Sequence, residues 1–90
     1  MSSDVIELNG KEYRIKHYLT VKEVKELIKR EQCARNEAAK GNFDPTFELW
    51  SEVLNKCLGL TLEELESMHY KDAEMLYIKV LEMNRSVPLQ

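Results

Sequence analysis

The stretch D-P-T-F-E-L-W-S-E-V-L-N-K-C-L-G, residues 44–59, carries the clearest helical pattern in the chain. Its apolar side chains recur every three or four residues, which is the spacing of one face of an α-helix. These apolar residues are Phe47, Trp50, Val53, Leu54, Cys57 and Leu58. Asp44 is a favourable N-cap, Pro45 suits a first helical turn, and Gly59 is placed to end the helix. The pattern therefore predicts a central helix over residues 45–58 that carries the main core.

The N-terminal segment, V-I-E-L-N-G-K-E-Y-R-I-K over residues 5–16, alternates apolar and polar side chains as β-strands do. Asn9 and Gly10 favour a type I′ turn, because both central residues of that turn need positive φ. This turn pairs Leu8 with Lys11 across a hairpin. The apolar side chains that then share one face are Ile6, Leu8, Tyr13 and Ile15. Because an isolated hairpin is marginal in water, we expect this face to pack on helices.

Two capping boxes, Thr20 with Glu23 and Thr61 with Glu64, mark the starts of further helices. The first of these helices has an apolar stripe that fades after Ile28, so its second half is predicted to be weakly anchored. The members of that stripe are Val21, Val24, Leu27 and Ile28. The predicted elements are a hairpin at 5–17, helices at about 20–40, 45–58, 62–68 and 72–84 after a break at 68–71, and a tail at 85–90. The predicted fold is a single α+β domain, residues 1–90, with an N-terminal β-hairpin packed on a small bundle of about four α-helices.

The charge balance argues against a basic nucleic-acid or membrane-surface protein, since 13 basic and 16 acidic side chains give a net charge of −3. Charge is uneven along the chain, with nine basic and seven acidic side chains in residues 1–42 but four and nine in residues 43–90. This asymmetry fits either self-association, intramolecular docking or two solvated surfaces. No apolar run approaches the roughly 20 residues of a membrane helix, and the N-terminus does not resemble a signal peptide. We therefore expect a cytoplasmic protein without a membrane partner.

Residues with catalytic or metal-binding chemistry are few and scattered. His17, His69, Cys33 and Cys57 lack the close spacings of zinc ligands, and Cys57 falls on the apolar stripe of the central helix. No glycine-rich phosphate loop or nucleophile motif is present. The sequence therefore predicts a protein that is not an enzyme, with no metal site and no cofactor.

The last predicted helix carries two large apolar side chains outside its core face. Met75 and Ile78 fall among charged residues when the helix is projected at 100° per residue. Isolated exposed hydrophobic residues are common in monomers. The alternative is a contact with another protein or with a second copy of the chain, for which flexible methionine is well suited.

Several segments together resemble the small tail assembly chaperones of long-tailed bacteriophages and their prophages. They are I-E-L-N-G-K-E-Y-R-I at 6–15, L-T-V-K-E-V at 19–24, L-N-K-C-L-G-L at 54–60, L-E-E-L-E-S-M at 62–68 and D-A at 72–73. The resemblance spans residues 5 to about 83. The sequence departs from the family pattern at Leu58, where threonine is usual, and at 72–73, where the common order is reversed.

The resemblance implies a non-enzymatic chaperone that binds the aggregation-prone tape-measure protein and keeps it soluble during tail assembly. Such proteins act in the cytoplasm of the infected bacterium and are absent from the mature virion. They often self-associate, and a longer frameshifted product often binds the tail-tube protein. The residues that would contact the client on this interpretation are Met75 and Ile78 on the last helix, and Lys29, Cys33 and Arg35 on the first.

Two other functions remain open from the sequence. One is a small structural or adaptor component of a phage particle. The other is a regulator with a helix-turn-helix, because a glycine turn joins the central helix to a capped short helix. The short helix, however, begins with Glu63, Glu64 and Glu66, which would repel DNA phosphates. We therefore expect no nucleic-acid partner.

Overall fold

Two strands and four helices follow one another along the chain in the computed structural model, which describes residues 4–86 and the side chains of 4–84. The elements are β1 (Val5–Leu8), β2 (Lys11–Arg14), α1 (Val21–Ala39), α2 (Asp44–Leu58), α3 (Leu62–Glu66) and α4 (Tyr70–Ser86). The predicted α+β class, a hairpin followed by four helices, is confirmed. Within the described range, no helix is both long enough and apolar enough to cross a bilayer.

The hairpin has the predicted register, with Leu8 opposite Lys11 in an antiparallel pair. Asn9 and Gly10 both have positive φ, 54° and 78°, as the type I′ turn requires. The side chains of Ile6, Leu8 and Ile15 are buried. The strand pair packs on α4 through β1. The predicted packing of the apolar hairpin face on the helices is therefore confirmed.

The core forms around α2, which packs against α1, α3 and α4. The most deeply buried side chains are Leu54 and Cys57 of α2 with Leu76 and Val80 of α4. A backbone hydrogen bond of 2.8 Å from Lys16 N–H to the carbonyl of Cys57 joins the exit of the hairpin to the end of α2. The predicted role of α2 as the main core helix is confirmed.

Helix α1 differs from its predicted packing. Val21 and Ile28 were expected in the core, yet they are 74% and 56% exposed. The inner face of α1 instead presents Leu27 and Ala34, both buried, and Glu31, whose carboxylate accepts a 2.9 Å hydrogen bond from the Tyr77 hydroxyl. The helix is regular to Ala39, close to the predicted end at 40, and its second half contacts the body through buried Ala34 and through Glu31. Its anchors are a small residue and a polar contact, which hydrophobic periodicity does not detect.

Three predicted helix boundaries shift by two residues. Helix α3 ends at Glu66 instead of residue 68, and α4 begins at Tyr70 instead of residue 72. His69 satisfies backbone groups at this earlier start of α4: its Nδ1 accepts the Lys71 N–H at 3.2 Å and its carbonyl accepts the Ala73 N–H at 3.0 Å. Helix α4 also continues through residues 85 and 86, which were predicted as tail, while residues 87–90 lie outside the described residues.

The start of α2 shifts by one residue. Asp44 is its first helical residue, so it is not the predicted N-cap. The side-chain oxygen of Asn42 accepts the Asp44 backbone N–H at 3.3 Å, in the manner of a capping residue.

A polar cluster ties the start of α1 to the end of α2. The Thr20 hydroxyl accepts the backbone N–H of Glu23, and the Glu23 carboxylate accepts that of Thr20 at 2.8 Å, so the predicted capping box is confirmed. The same carboxylate contacts His17 Nε2 at 2.9 Å and Lys56 Nζ at 3.0 Å. These contacts, led by the hydrogen bond from the Thr20 backbone, lower the pKa of Glu23 to about 2.

Replacing Glu23 by glutamine is expected to reduce the loss of stability in acid. The folded-state pKa of Glu23 lies below its ordinary value of 4.5, so its carboxylate stabilises the fold above pH 4.5. This stabilisation is lost progressively as the pH falls towards 2. Urea unfolding at several pH values should show a steeper decline in the free energy of unfolding for wild type than for Glu23→Gln. The exposed hairpin variant Glu12→Gln is the control, and equal slopes for Glu23→Gln and wild type would contradict the assignment.

Candidate protein-docking groove

An open groove of about 920 Å³ lies between α2, α3 and the start of α4. Its apolar lining combines side chains from all three helices and from the link between α3 and α4. These side chains are Phe47, Trp50, Leu62, Leu65, Met68 and Tyr70. We call this surface the α2–α4 groove.

An aromatic cluster forms the floor and one edge of the groove. Trp50 is buried, and its ring centroid lies 5.4 Å from that of Phe47 and 6.0 Å from that of Tyr77. The Phe47 and Tyr70 rings meet at 6.3 Å in an edge-to-face arrangement, which aromatic quadrupoles favour. Phe47, Leu62 and Tyr70 remain between 44% and 56% exposed. The groove therefore presents large apolar side chains that are held in place but still open to solvent.

The turn between α2 and α3 positions the second wall of the groove. Gly59 takes a left-handed conformation, with φ of 75°, and its N–H donates to the carbonyl of Asn55 at 2.8 Å. The Asn55 side-chain amide donates to the carbonyl of Leu60 at 2.9 Å. The predicted capping box of Thr61 and Glu64 then starts α3, as expected. These local bonds hold α3 alongside α2.

Carboxylates surround the apolar lining. Asp44, Glu48 and Glu66 line the groove, and none of them forms an ion pair with another described residue. A fourth carboxylate, that of Glu52, is paired with Arg30. Arg30 itself lines the groove, so the charged rim holds four carboxylates and one cation. This negative balance suits a ligand with an apolar surface flanked by positive charge.

Behind the groove, Tyr77 links α4 to α1. Its buried hydroxyl donates to the Glu31 carboxylate, and burial together with that carboxylate raises the pKa of Tyr77. The tyrosine therefore stays protonated and remains a hydrogen-bond donor at ordinary pH. This contact supports the position of the neighbouring Trp50 ring.

The side chains predicted to contact a partner lie outside the groove. Met75 and Ile78 are exposed on α4, one turn apart. Lys29, Cys33 and Arg35 are exposed on α1. None of the five lines the groove, so the predicted contacts form two separate surfaces on different helices.

The groove residues Phe47, Leu62 and Tyr70 were not predicted as contact residues. Phe47 was assigned to the core stripe, and Tyr70 was placed in the break before the last helix. A local signal exists, because each of the three lies in the first turn of a successive helix. Nothing in the local pattern indicates that these three first turns meet in space.

The potential metal ligands and the two cysteine thiols do not form a common site in the described residues. In the part of the chain that the structure describes, no group of three His, Cys, Asp or Glu side chains is placed to hold a metal ion. Both cysteines are free thiols, Cys33 exposed and Cys57 buried. Burial raises the pKa of the Cys57 thiol, which favours its protonated form.

The groove is expected to bind an uncharged apolar dye such as Nile red. Leu62→Glu with Tyr70→Glu should weaken binding roughly tenfold, because a carboxylate in an apolar contact costs more than about 1.4 kcal/mol. Both substitutions fall in first helical turns, where acidic residues are compatible with the helix dipole. The matched control is Val21→Glu with Ile28→Glu on α1. Fluorescence titration measures the effect, and equal loss in both variants would argue against the groove.

Comparisons with known proteins leave the function to be argued from this geometry. No protein-family model, no curated protein and no solved structure matches the chain. We therefore infer the function from the α2–α4 groove and from the exposed side chains of α1 and α4.

Proposed function

We propose that the chain is a tail assembly chaperone that binds an apolar segment of a phage tape-measure protein and keeps it soluble in the bacterial cytoplasm. The observation that carries this proposal is the α2–α4 groove. Its Phe47, Leu62 and Tyr70 side chains line an apolar concavity and are about half exposed. A holding chaperone needs such a surface, because it must offer apolar contacts to a client while remaining folded itself.

The shape of the groove fits a helical client. A concavity between helices can accept the apolar face of an amphipathic helix, in the same way as other helix-in-groove complexes. Each Å² of apolar surface removed from water contributes about 25 cal/mol, so contact with several half-exposed aromatic and aliphatic side chains provides substantial affinity. The rings of Phe47 and Tyr70 both contact the ring of Trp50 before the client arrives. These contacts lower the entropic cost of binding.

The family resemblance and the groove coincide in the chain. The segments L-N-K-C-L-G-L at 54–60 and L-E-E-L-E-S-M at 62–68 form the end of α2, the turn and α3. In space these segments build one wall of the groove. Two of the segments that carry the resemblance therefore also shape the proposed client site.

Met75 and Ile78 offer a second client contact, separate from the groove. Projected at 100° per residue, Ile78 lies about 80° from Tyr70 around α4 and Met75 about 140°. Both side chains are about half exposed. A client long enough to reach around α4 from the groove can contact this pair as well.

The regulator alternative is less well supported by the geometry of α3. This helix has only five residues, and its first turn carries Glu63 and Glu64, both exposed. A recognition helix needs basic and polar side chains near the phosphates. The structural-component alternative predicts that the protein is present in purified virions, whereas a chaperone is not.

Co-expression with a tape-measure protein tests the proposed function. Leu62→Glu with Tyr70→Glu is expected to lower the affinity for the client tenfold or more, because the new carboxylates would lose their hydration in an apolar contact. Met75→Glu with Ile78→Glu should lower the client affinity less, because that pair lies outside the groove. The measurement is the fraction of the tape-measure protein that stays soluble after centrifugation.

The matched control for co-expression is Val21→Glu with Ile28→Glu, which adds the same two charges at exposed apolar positions of α1. Its client solubility should equal that of wild type. Circular dichroism confirms that all variants are folded. A client that stays equally soluble with both the groove variant and the α4 variant would overturn the proposal.

A further inference from the structure

One side of α2 forms a wall of the α2–α4 groove along most of the helix. Its groove-lining residues are Asp44, Phe47, Glu48, Ser51, Glu52 and Asn55. They recur every three or four residues, so they share one side of the helix. At about 1.5 Å per residue, the wall from Asp44 to Asn55 is roughly 16 Å long, which corresponds to about three helical turns. A partner helix of about three turns can therefore lie against this wall.

The negative charge of this wall lies in its first half. The carboxylates of Asp44 and Glu48 form no ion pair with another described residue. In the next turn, the carboxylate of Glu52 is paired with Arg30. Asn55, one turn further on, is uncharged. The start of α2 is therefore the acidic end of the groove, and the end of α2 is its neutral end.

The opposite wall of the groove has the same polarity. Helix α3 begins after a turn at 59–61 that directly follows α2, so its first residue, Leu62, lies at the neutral end. The chain then returns to the start of α2, where the ring of Tyr70 lies 6.3 Å from the ring of Phe47. Glu66 is the last residue of α3 on this return, so it lies towards the acidic end.

The other carboxylates of α3 line a different surface. Glu63 and Glu64 lie in a separate concavity with Lys11 and Tyr13 of β2. The Glu64 carboxylate also accepts the backbone N–H of Thr61 at 2.9 Å, as part of the capping box. Neither of these two glutamates lines the neutral end of the groove.

The fold itself accounts for Asp44 but not for the other two carboxylates of the acidic end. Asp44 lies in the first turn of α2, where the helix dipole favours an acidic side chain. Glu48 lies one turn further along α2. Glu66 ends α3, where the dipole favours a cation instead. Glu48 and Glu66 are therefore available to pair with the positive charges of a bound partner.

We propose that the groove selects an amphipathic helix of another protein whose apolar stripe ends in a cluster of Lys or Arg side chains. The stripe contacts Leu62, Phe47 and Tyr70, and the cations meet Glu48 and Glu66 at the acidic end. This charge pattern also sets the direction of the bound helix, because the reversed helix would place its cations at the neutral end. The inference rests on the proposed function, since it specifies which segment of a client the groove holds.

Three synthetic helical peptides that differ only at one end test this selection. Each has an alanine-rich background with leucines at helical spacing, and two lysines, two glutamines or two glutamates follow the last leucine. At low ionic strength, the wild-type protein should bind the lysine peptide roughly tenfold more tightly than the glutamate peptide, because favourable charge pairs become repulsive. The glutamine peptide should lie between them, and added salt should reduce the differences. Fluorescence anisotropy of labelled peptides measures the dissociation constants.

Charge reversal in the groove should reverse the order of affinities. Glu48→Lys with Glu66→Lys should bind the glutamate peptide most tightly, and both sites lie outside first helical turns, so lysine is compatible with the helix dipoles. The matched control is Glu7→Lys with Glu12→Lys, which changes the net charge equally at two exposed hairpin positions outside the groove. This control should keep the wild-type order. Circular dichroism confirms the folding of every variant.

Three outcomes would overturn the inference. They are equal affinities of the wild-type protein for the three peptides, a lysine preference that survives Glu48→Lys with Glu66→Lys, and a hairpin control that reverses the order as the groove variant does. Equal affinities that are all lost in Leu62→Glu with Tyr70→Glu would leave the groove as a site for apolar helices, so only the charge selection would fail. Peptide binding that does not respond to Leu62→Glu with Tyr70→Glu would contradict the proposed function as well.

Discussion

The burial of the apolar face of α2 is the constraint on which the rest of the structure depends. Leu54 and Cys57 have no exposed surface, because α1, α4 and the exit of the hairpin converge on that helix. A chain of 90 residues buries only about 60–65% of its unfolded surface, so it cannot cover every apolar side chain. Phe47 lies at the edge of the buried stripe, and the short α3 does not cover it. The groove is thus a consequence of a small core organised around one helix.

Local chemistry explains which parts of this fold the sequence predicted. The Asn9-Gly10 turn and the two capping boxes involve residues within a few positions of each other, and all three have the expected geometry. The inner face of α1 was predicted wrongly because Glu31 faces inwards. Its partner, Tyr77, lies 46 residues away, and hydrophobic periodicity cannot indicate such a contact.

The candidate site was not predictable for a related reason. The aromatic cluster joins the first turn of α2 to the first turn of α4 through Trp50, and these contacts join rings that are 20 or more residues apart in the chain. The exposure of Met75 and Ile78 was predictable, because both residues lie on one helix. Their exposure follows from the helical projection alone. Side chains from three helices form a groove only once tertiary packing is known.

The open groove has a thermodynamic consequence for the free protein. An exposed apolar groove is a liability, because such patches promote unwanted association. A client helix that fills the groove would cover Phe47, Leu62 and Tyr70. Because that client would bind the folded chain and not the unfolded one, it would also stabilise the folded chain by mass action. The same contact would then keep the client soluble and remove the liability of the empty groove.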